Sequence, residues 1–146
     1  MEENNILSLM VDQHGLIEAL FFIFKDEAKE KTERVKNSFS EFSWELRKHF
    51  FVEEGVIFDY LPWRDPFISE TIERLKDEHI EMLNQLSKMA EDLLKVEDEQ
   101  IESFYNLLKS HREMEEINLY PALDKRLTVA QKEQVIKKID EIPFKK

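Results

Sequence analysis

Apolar residues recur along this chain at intervals of three and four, the spacing of one helix face. The first such stripe is Ile6, Leu7, Met10, Val11, Ile17, Leu20, Phe21 and Phe24. Asn4 or Asn5 is placed to cap it, and it fades into the charged segment Lys25 to Lys31. Thr32 is placed to cap a second helix, with the stripe Val35, Phe39, Phe42, Leu46, Val56, Ile57 and Tyr60. Pro62 and Pro66 mark a connection, in which Asp65-Pro66 reads as an N-cap followed by proline at the first helical position. The third stripe is Ile68, Ile72, Leu75, Met82, Leu83, Leu86 and Leu93. A charged turn at Val96 to Asp98 leads to a fourth helix from Glu99 to about Tyr120, which Pro121 ends or kinks. Thr128 to Gln131 reads as a capping box for a short fifth helix over about 128–142, closed near Pro143. No segment shows sustained strand alternation. Long helices with short connections predict one all-α domain over 1–146: an up-down-up-down four-helix bundle over about 5–124 with a short fifth C-terminal helix.

Polar residues interrupt these stripes in a repeated way. The second helix reads Phe42-x3-Leu46-x2-His49-x3-Glu53-Glu54-x3-Phe58-x2-Leu61. The fourth reads Phe104-x3-Leu108-x2-His111-x3-Glu115-Glu116-x3-Tyr120-x2-Leu123, with the same spacings throughout. Asp12-Gln13-His14 in the first helix is echoed by Asp77-Glu78-His79 in the third. The chain therefore reads as two helical hairpins, each giving one His from its first helix and a His-x3-Glu from its second. Residues four apart share a helix face, so His111 and Glu115 both point inward, as do His49 and Glu53. A lone histidine on an apolar stripe is most simply a core residue bonded to a neighbour. The chain has 4 histidines, and each falls on the stripe of a different long helix. With two matching carboxylates, that pattern points to a metal site. Four imidazoles and two carboxylates suit iron or manganese, with zinc possible. Six donors exceed one typical open site and suit two ions, each held by two histidines, with Glu53 and Glu115 bridging.

Composition narrows the partners. The formal net charge is -11, with 36% charged residues and no large basic cluster. That argues against nucleic acid and against an anionic membrane surface. With no cysteine, disulfides, thiolate metal sites and thiol nucleophiles are excluded, and a cytoplasmic location is expected. The acidic N-terminus does not resemble a secretory signal. The longest apolar run, Ala19 to Phe24, is too short to span a bilayer.

His14, His49-x3-Glu53-Glu54, His79 and His111-x3-Glu115-Glu116, followed by Leu119-Tyr120-Pro121, resemble the hemerythrin-like family in its HHE cation-binding branch. The resemblance covers roughly residues 6 to 124. It implies a non-haem centre of two iron ions joined by an oxo or hydroxo bridge. One iron would take His14 and His49, the other His79 and His111, with Glu53 and Glu115 bridging. Oxygen-carrying hemerythrins are similar but add a fifth histidine where this chain has Leu75. They also use an aspartate five residues after the fourth-helix histidine, where this chain has Glu115 at four. One imidazole fewer implies open coordination. It favours a protein that binds or responds to O2, peroxide or NO, or that handles iron. The alternatives are a di-iron peroxidase or oxidase, an enzyme repairing iron centres, and a metal-free helical interaction module. The expected partner is a small diatomic ligand or peroxide, and the expected state a monomer or homodimer.

Other residues receive plainer readings. Glu54 and Glu116 are expected on a solvated face, because the next helical residue turns away by about 100°; their alternative is a bond to a metal or a histidine. Tyr60, Tyr105 and Tyr120 read as core residues with bonded hydroxyls, or as redox-active groups. Gly15 and Gly55 read either as space for close approach or as local kinks. Trp44 and Trp63 read as packing, and Val129, Val135, Ile136 and Ile139 as bundle closure or a dimer contact.

Overall fold

In the computed structural model, which describes residues 5–142, the helices succeed one another with short connections. Asn4 and Pro143, named above as a cap and a stop, lie outside that range. α1 spans Ile6–Glu30, α2 Val35–Val52, α3 Pro66–Glu91, α4 Asp98–Glu113, α5 Tyr120–Arg126 and α6 Val129–Glu141. α2 runs on into a π-helical turn, Glu53–Phe58, and α4 runs through a second, Met114–Leu119, into α5. Among the described residues there is no strand.

Local chemistry sets most of the ends. Asn5 accepts from the Ser8 N–H at the start of α1. Asp65 accepts from the N–H groups of Phe67 and Ile68, with Pro66 in the first turn of α3. Thr128 and Gln131 close a reciprocal capping box on α6. A second capping box pairs Glu97 with Gln100 and starts α4 at Asp98. Thr32 does not cap α2. Lys31 takes the left-handed conformation (φ 54), and the Thr32 N–H returns to the Glu27 carbonyl at 3.5 Å. Thr32 thus completes the C-terminal motif of α1, and α2 begins only at Val35, after a turn. Nor does Pro121 end the fourth rod, which continues to Arg126. The π turn before it replaces i→i+4 bonding with i→i+5. Pro121 then sits in the first turn of α5, where a missing N–H is tolerated.

The core is two apolar clusters. One gathers Ile17, Phe21, Phe24, Phe42, Leu46, Met82, Leu86, Phe104 and Leu108. The other gathers Ile6, Met10, Ile57, Ile68, Ile72, Leu75, Leu119, Leu123 and Val135. Along α1 the second cluster precedes the first; along α2 the order reverses, along α3 it reverses again, and along the α4–α5 rod once more. That alternation is the up-down-up-down bundle. His14, His49, His79 and His111 each sit at the crossing from one cluster to the other.

Several stripe residues lie elsewhere than expected. Val11 is exposed, as are Leu16, Phe22 and Ile23 on the outer side of α1. By length and composition α1 is long and apolar enough to cross a membrane, which its longest unbroken apolar run understates. Its inner face, however, carries His14 between Met10 and Ile17. Tyr60 and Leu93 fall in the connections rather than in α2 and α3. Val135 of α6 joins the second cluster while Val129 is exposed, so α6 closes that end of the bundle.

Candidate metal centre

The six candidate ligands meet in the middle of the bundle. His14, His49, Glu53, His79, His111 and Glu115 are all buried, and both carboxylates have no accessible surface. They form two overlapping groups, each with its donor atoms within 4.8 Å of one another. One is His14, His49, Glu53 and Glu115; the other is Glu53, His79, His111 and Glu115. Each carboxylate presents one oxygen to each imidazole pair. Glu53 Oε1 lies 2.8 Å from His79 Nε2, and its Oε2 lies 3.7 Å from His49 Nε2. Glu115 Oε1 lies 3.2 Å from His14 Nε2, and its Oε2 lies 3.4 Å from His111 Nε2. Both carboxylates belong to the π-helical turns.

The outer nitrogens fix what the inner ones can do. Nδ1 of His14 meets Glu116 at 2.6 Å, and Nδ1 of His79 meets Glu54 at 2.6 Å. Nδ1 of His49 meets Gln13 Oε1 at 2.7 Å, and Nδ1 of His111 meets Glu78 at 2.8 Å. All four partners are acceptors, so each Nδ1 carries the proton and a neutral ring keeps its Nε2 lone pair. Those lone pairs face one another, at 3.2 Å between His14 and His49 and at 3.2 Å between His79 and His111. Two acceptors so close repel unless a proton or a cation lies between them. Nitrogens each about 2.1 Å from one ion, at right angles, would stand about 3 Å apart. Three of the four carboxylate oxygens, Glu53 Oε1 and both of Glu115, are buried without a hydrogen bond, a costly state for such groups. The donor set therefore fits metal ions.

Without metal, the charges sort themselves. Burial, with Glu115 alongside, raises Glu53 well above the usual carboxylate range. Burial also pushes Glu115 up, but the charge of His111, with Glu53 and His14 close by, outweighs it and holds it low. For His111, burial lowers the pKa, yet Glu115 and Glu78 together raise it to about 9. Burial and His111 lower His79 to about 4. Burial and His14 hold His49 well below 6.5. Of these imidazoles, His111 is the one whose surroundings favour a second proton, and a metal bound at its Nε2 would displace it.

A family model for the hemerythrin HHE cation-binding domain matches residues 5–123. The chain belongs to that family. No curated protein and no solved structure matches it. Within this hemerythrin-type bundle Leu75 is fully buried in the apolar cluster beside the site.

Of the four partners of the histidines, Glu54 and Glu116 take the second of their two expected readings. Glu54 and Glu116 do not face solvent alone: each binds the Nδ1 of a histidine on the other hairpin. The π turn is the reason, since a wider turn rotates the chain less per residue and keeps two consecutive glutamates at the site. Gln13 and Glu78 hold the other two rings, and the only sign of this in the sequence is the matched pair Gln13-His14 and Glu78-His79. Tyr120, fully buried, donates its hydroxyl to Glu53 Oε2. Tyr60 instead donates to Gln134 at 2.6 Å, Tyr105 stacks on Phe21, and Trp63 donates to the Phe58 carbonyl. A Cβ at Gly15 or Gly55 would meet nothing within 4 Å, so neither glycine serves close approach.

Proposed function

We propose that this protein binds two iron ions between His14, His49, His79, His111, Glu53 and Glu115, and that it binds or responds to O2, peroxide or NO. The observation that carries the reading is the pair of opposed Nε2 lone pairs, with buried, unbonded carboxylate oxygens between them. Iron bound there would supply one-electron chemistry and open coordination positions. The chain supplies the rest. Nδ1 bonds orient each imidazole and strengthen it as a donor. Glu53 and Glu115 balance the charge of two cations in a water-poor interior. Tyr120 can hold a proton at Glu53 Oε2.

A small cavity supports the choice of ligand. It adjoins His14, His49 and His111, is lined further by Ile17, Leu46, Phe50 and Leu108 with Glu18 and Arg112, and measures about 10 Å³. That is about the least room that one water molecule needs, so all but the smallest ligands are shut out there. The ion pair of Arg112 with Glu18 lies at its edge.

Anaerobic loading with ferrous iron tests the reading. About two irons per chain, with an absorption change on adding O2 or NO, are expected. A stoichiometry near zero overturns it. Peroxide turnover above a free-iron control would make the protein an enzyme of the same centre, and retention of manganese or zinc in place of iron would change the metal.

A further inference from the structure

The two hairpins match in spacing but not in what surrounds their metals, and the differences fall on one side. Beside His111 stands Glu78, a carboxylate; in the matching place beside His49 stands Gln13, a neutral amide. His79 is stacked on Phe50, with ring centroids 3.8 Å apart, and Phe58 lies nearly parallel to it at 6.1 Å. The matching residues in the other half are Arg112 and Tyr120. Tyr120 is tilted against His14 at 6.0 Å, while Arg112 turns to Glu18, whose own counterpart is the apolar Leu83. Two cavities bordered by described residues touch His49, the smaller of them also His14 and His111. One is the small space described above. The other, about 310 Å³, lies between α1, α2 and the end of α6 and is lined by Gln13, Leu16, Lys48, His49 and Ile139 among others.

We infer that the two metal positions are unequal: His79 and His111 hold a tightly retained ion, and His14 and His49 hold a labile one, exchanged past Gln13. This rests on the dimetal reading above. A carboxylate accepting from an imidazole N–H makes that imidazole a stronger donor, and losing such a partner lowers metal affinity by about 10–100-fold. The His79/His111 half has two such carboxylates, Glu54 and Glu78. The His14/His49 half has one, Glu116. Glu54 also borders an open cavity, of about 440 Å³, but that one is not lined by a histidine, whereas the cavity lined by Gln13 reaches His49 itself.

The test is anaerobic titration of the metal-free full chain with Co(II) alone, followed by absorption and calorimetry. Wild type should bind in two steps separated by about 10–100-fold. In Q13E the second step should tighten and the gap narrow. In E78Q the first step should loosen and the gap narrow from the other side. Both exchanges preserve side-chain shape, and far-UV circular dichroism checks the fold. If the steps differ only because two cations repel, both halves are intrinsically alike. Q13E would then create a preferred site, tighten the first step and widen the gap, which overturns the assignment. Equal steps in wild type, or a gap that Q13E leaves unchanged, also overturn it while leaving the dimetal reading intact. No binding at all overturns both.

Discussion

The Tyr120 hydroxyl donates to Oε2 of Glu53. Phe58 fills the matching place on the other hairpin and offers Glu115 no such donor. Tyr120→Phe keeps the ring packing and removes the bond alone. The metal-free variant should be less stable by about 1–2 kcal/mol. With metal bound the loss should shrink, because a cation replaces the phenol as partner of that oxygen. Urea denaturation with and without chelator measures both, and equal stability of variant and wild type in chelator would show that the hydroxyl contributes nothing.

Metal-free protein should lose stability as pH rises from about 6.5 to 9. His111, raised to about 9, keeps a proton that the unfolded chain releases near 6.5. Its contribution is full below the unfolded value and lost as pH passes the folded one, a change of about 3 kcal/mol. Glu53, also raised, acts in the same direction. His79 and His49, held low, are neutral in both states over most of that range and add little slope. Loaded protein should lack this loss, since the metal displaces the proton and binds more tightly as pH rises. Denaturation midpoints at pH 6.5 and 9, with and without chelator, decide it.

Glu115→Gln removes one of the two buried carboxylate charges and leaves the fold's apolar clusters untouched. Metal content should fall below two per chain, and the rise in Tm on metal loading should shrink with it. Metal analysis beside thermal scans checks this. A variant that retained two ions and the full Tm shift would take Glu115 out of the ligand set.

Asp124 of α5 accepts from the N–H groups of Ile6 and Leu7 at 2.8 and 3.1 Å, tying the start of α1 to the far end of the chain. Asp124→Ala should cost about 1 kcal/mol in the metal-free protein. Hydrogen exchange should accelerate at the first turn of α1, and unchanged protection there would count against the tie.

What could be read from sequence was what neighbours in the chain decide. Asp65-Pro66 and Thr128 to Gln131 signal caps within four residues, and both form. The His-x3-Glu spacings place side chains on one face, and the structure gathers those side chains in one place. What failed depends on backbone form or on distant residues. Thr32 carries a good cap side chain, but its N–H is used by the preceding helix once Lys31 turns left-handed. A uniform rotation per residue turns Glu54 and Glu116 outward and leaves a bond to histidine as the lesser alternative, and a π turn makes that alternative the outcome. No local pattern announces a π turn, and none announces Asp124 reaching back more than a hundred positions to α1.

The repeated hairpins have a consequence for symmetry. Two separate copies of one hairpin, paired about a twofold axis, would meet the same surface on each other and carry every residue twice. Their two metals would be equivalent by construction. Here both hairpins are on one polypeptide, so Gln13 can stand where Glu78 stands, and Tyr120 where Phe58 stands, each chosen independently. Covalent linkage is what frees the two halves of the centre to take on different tasks.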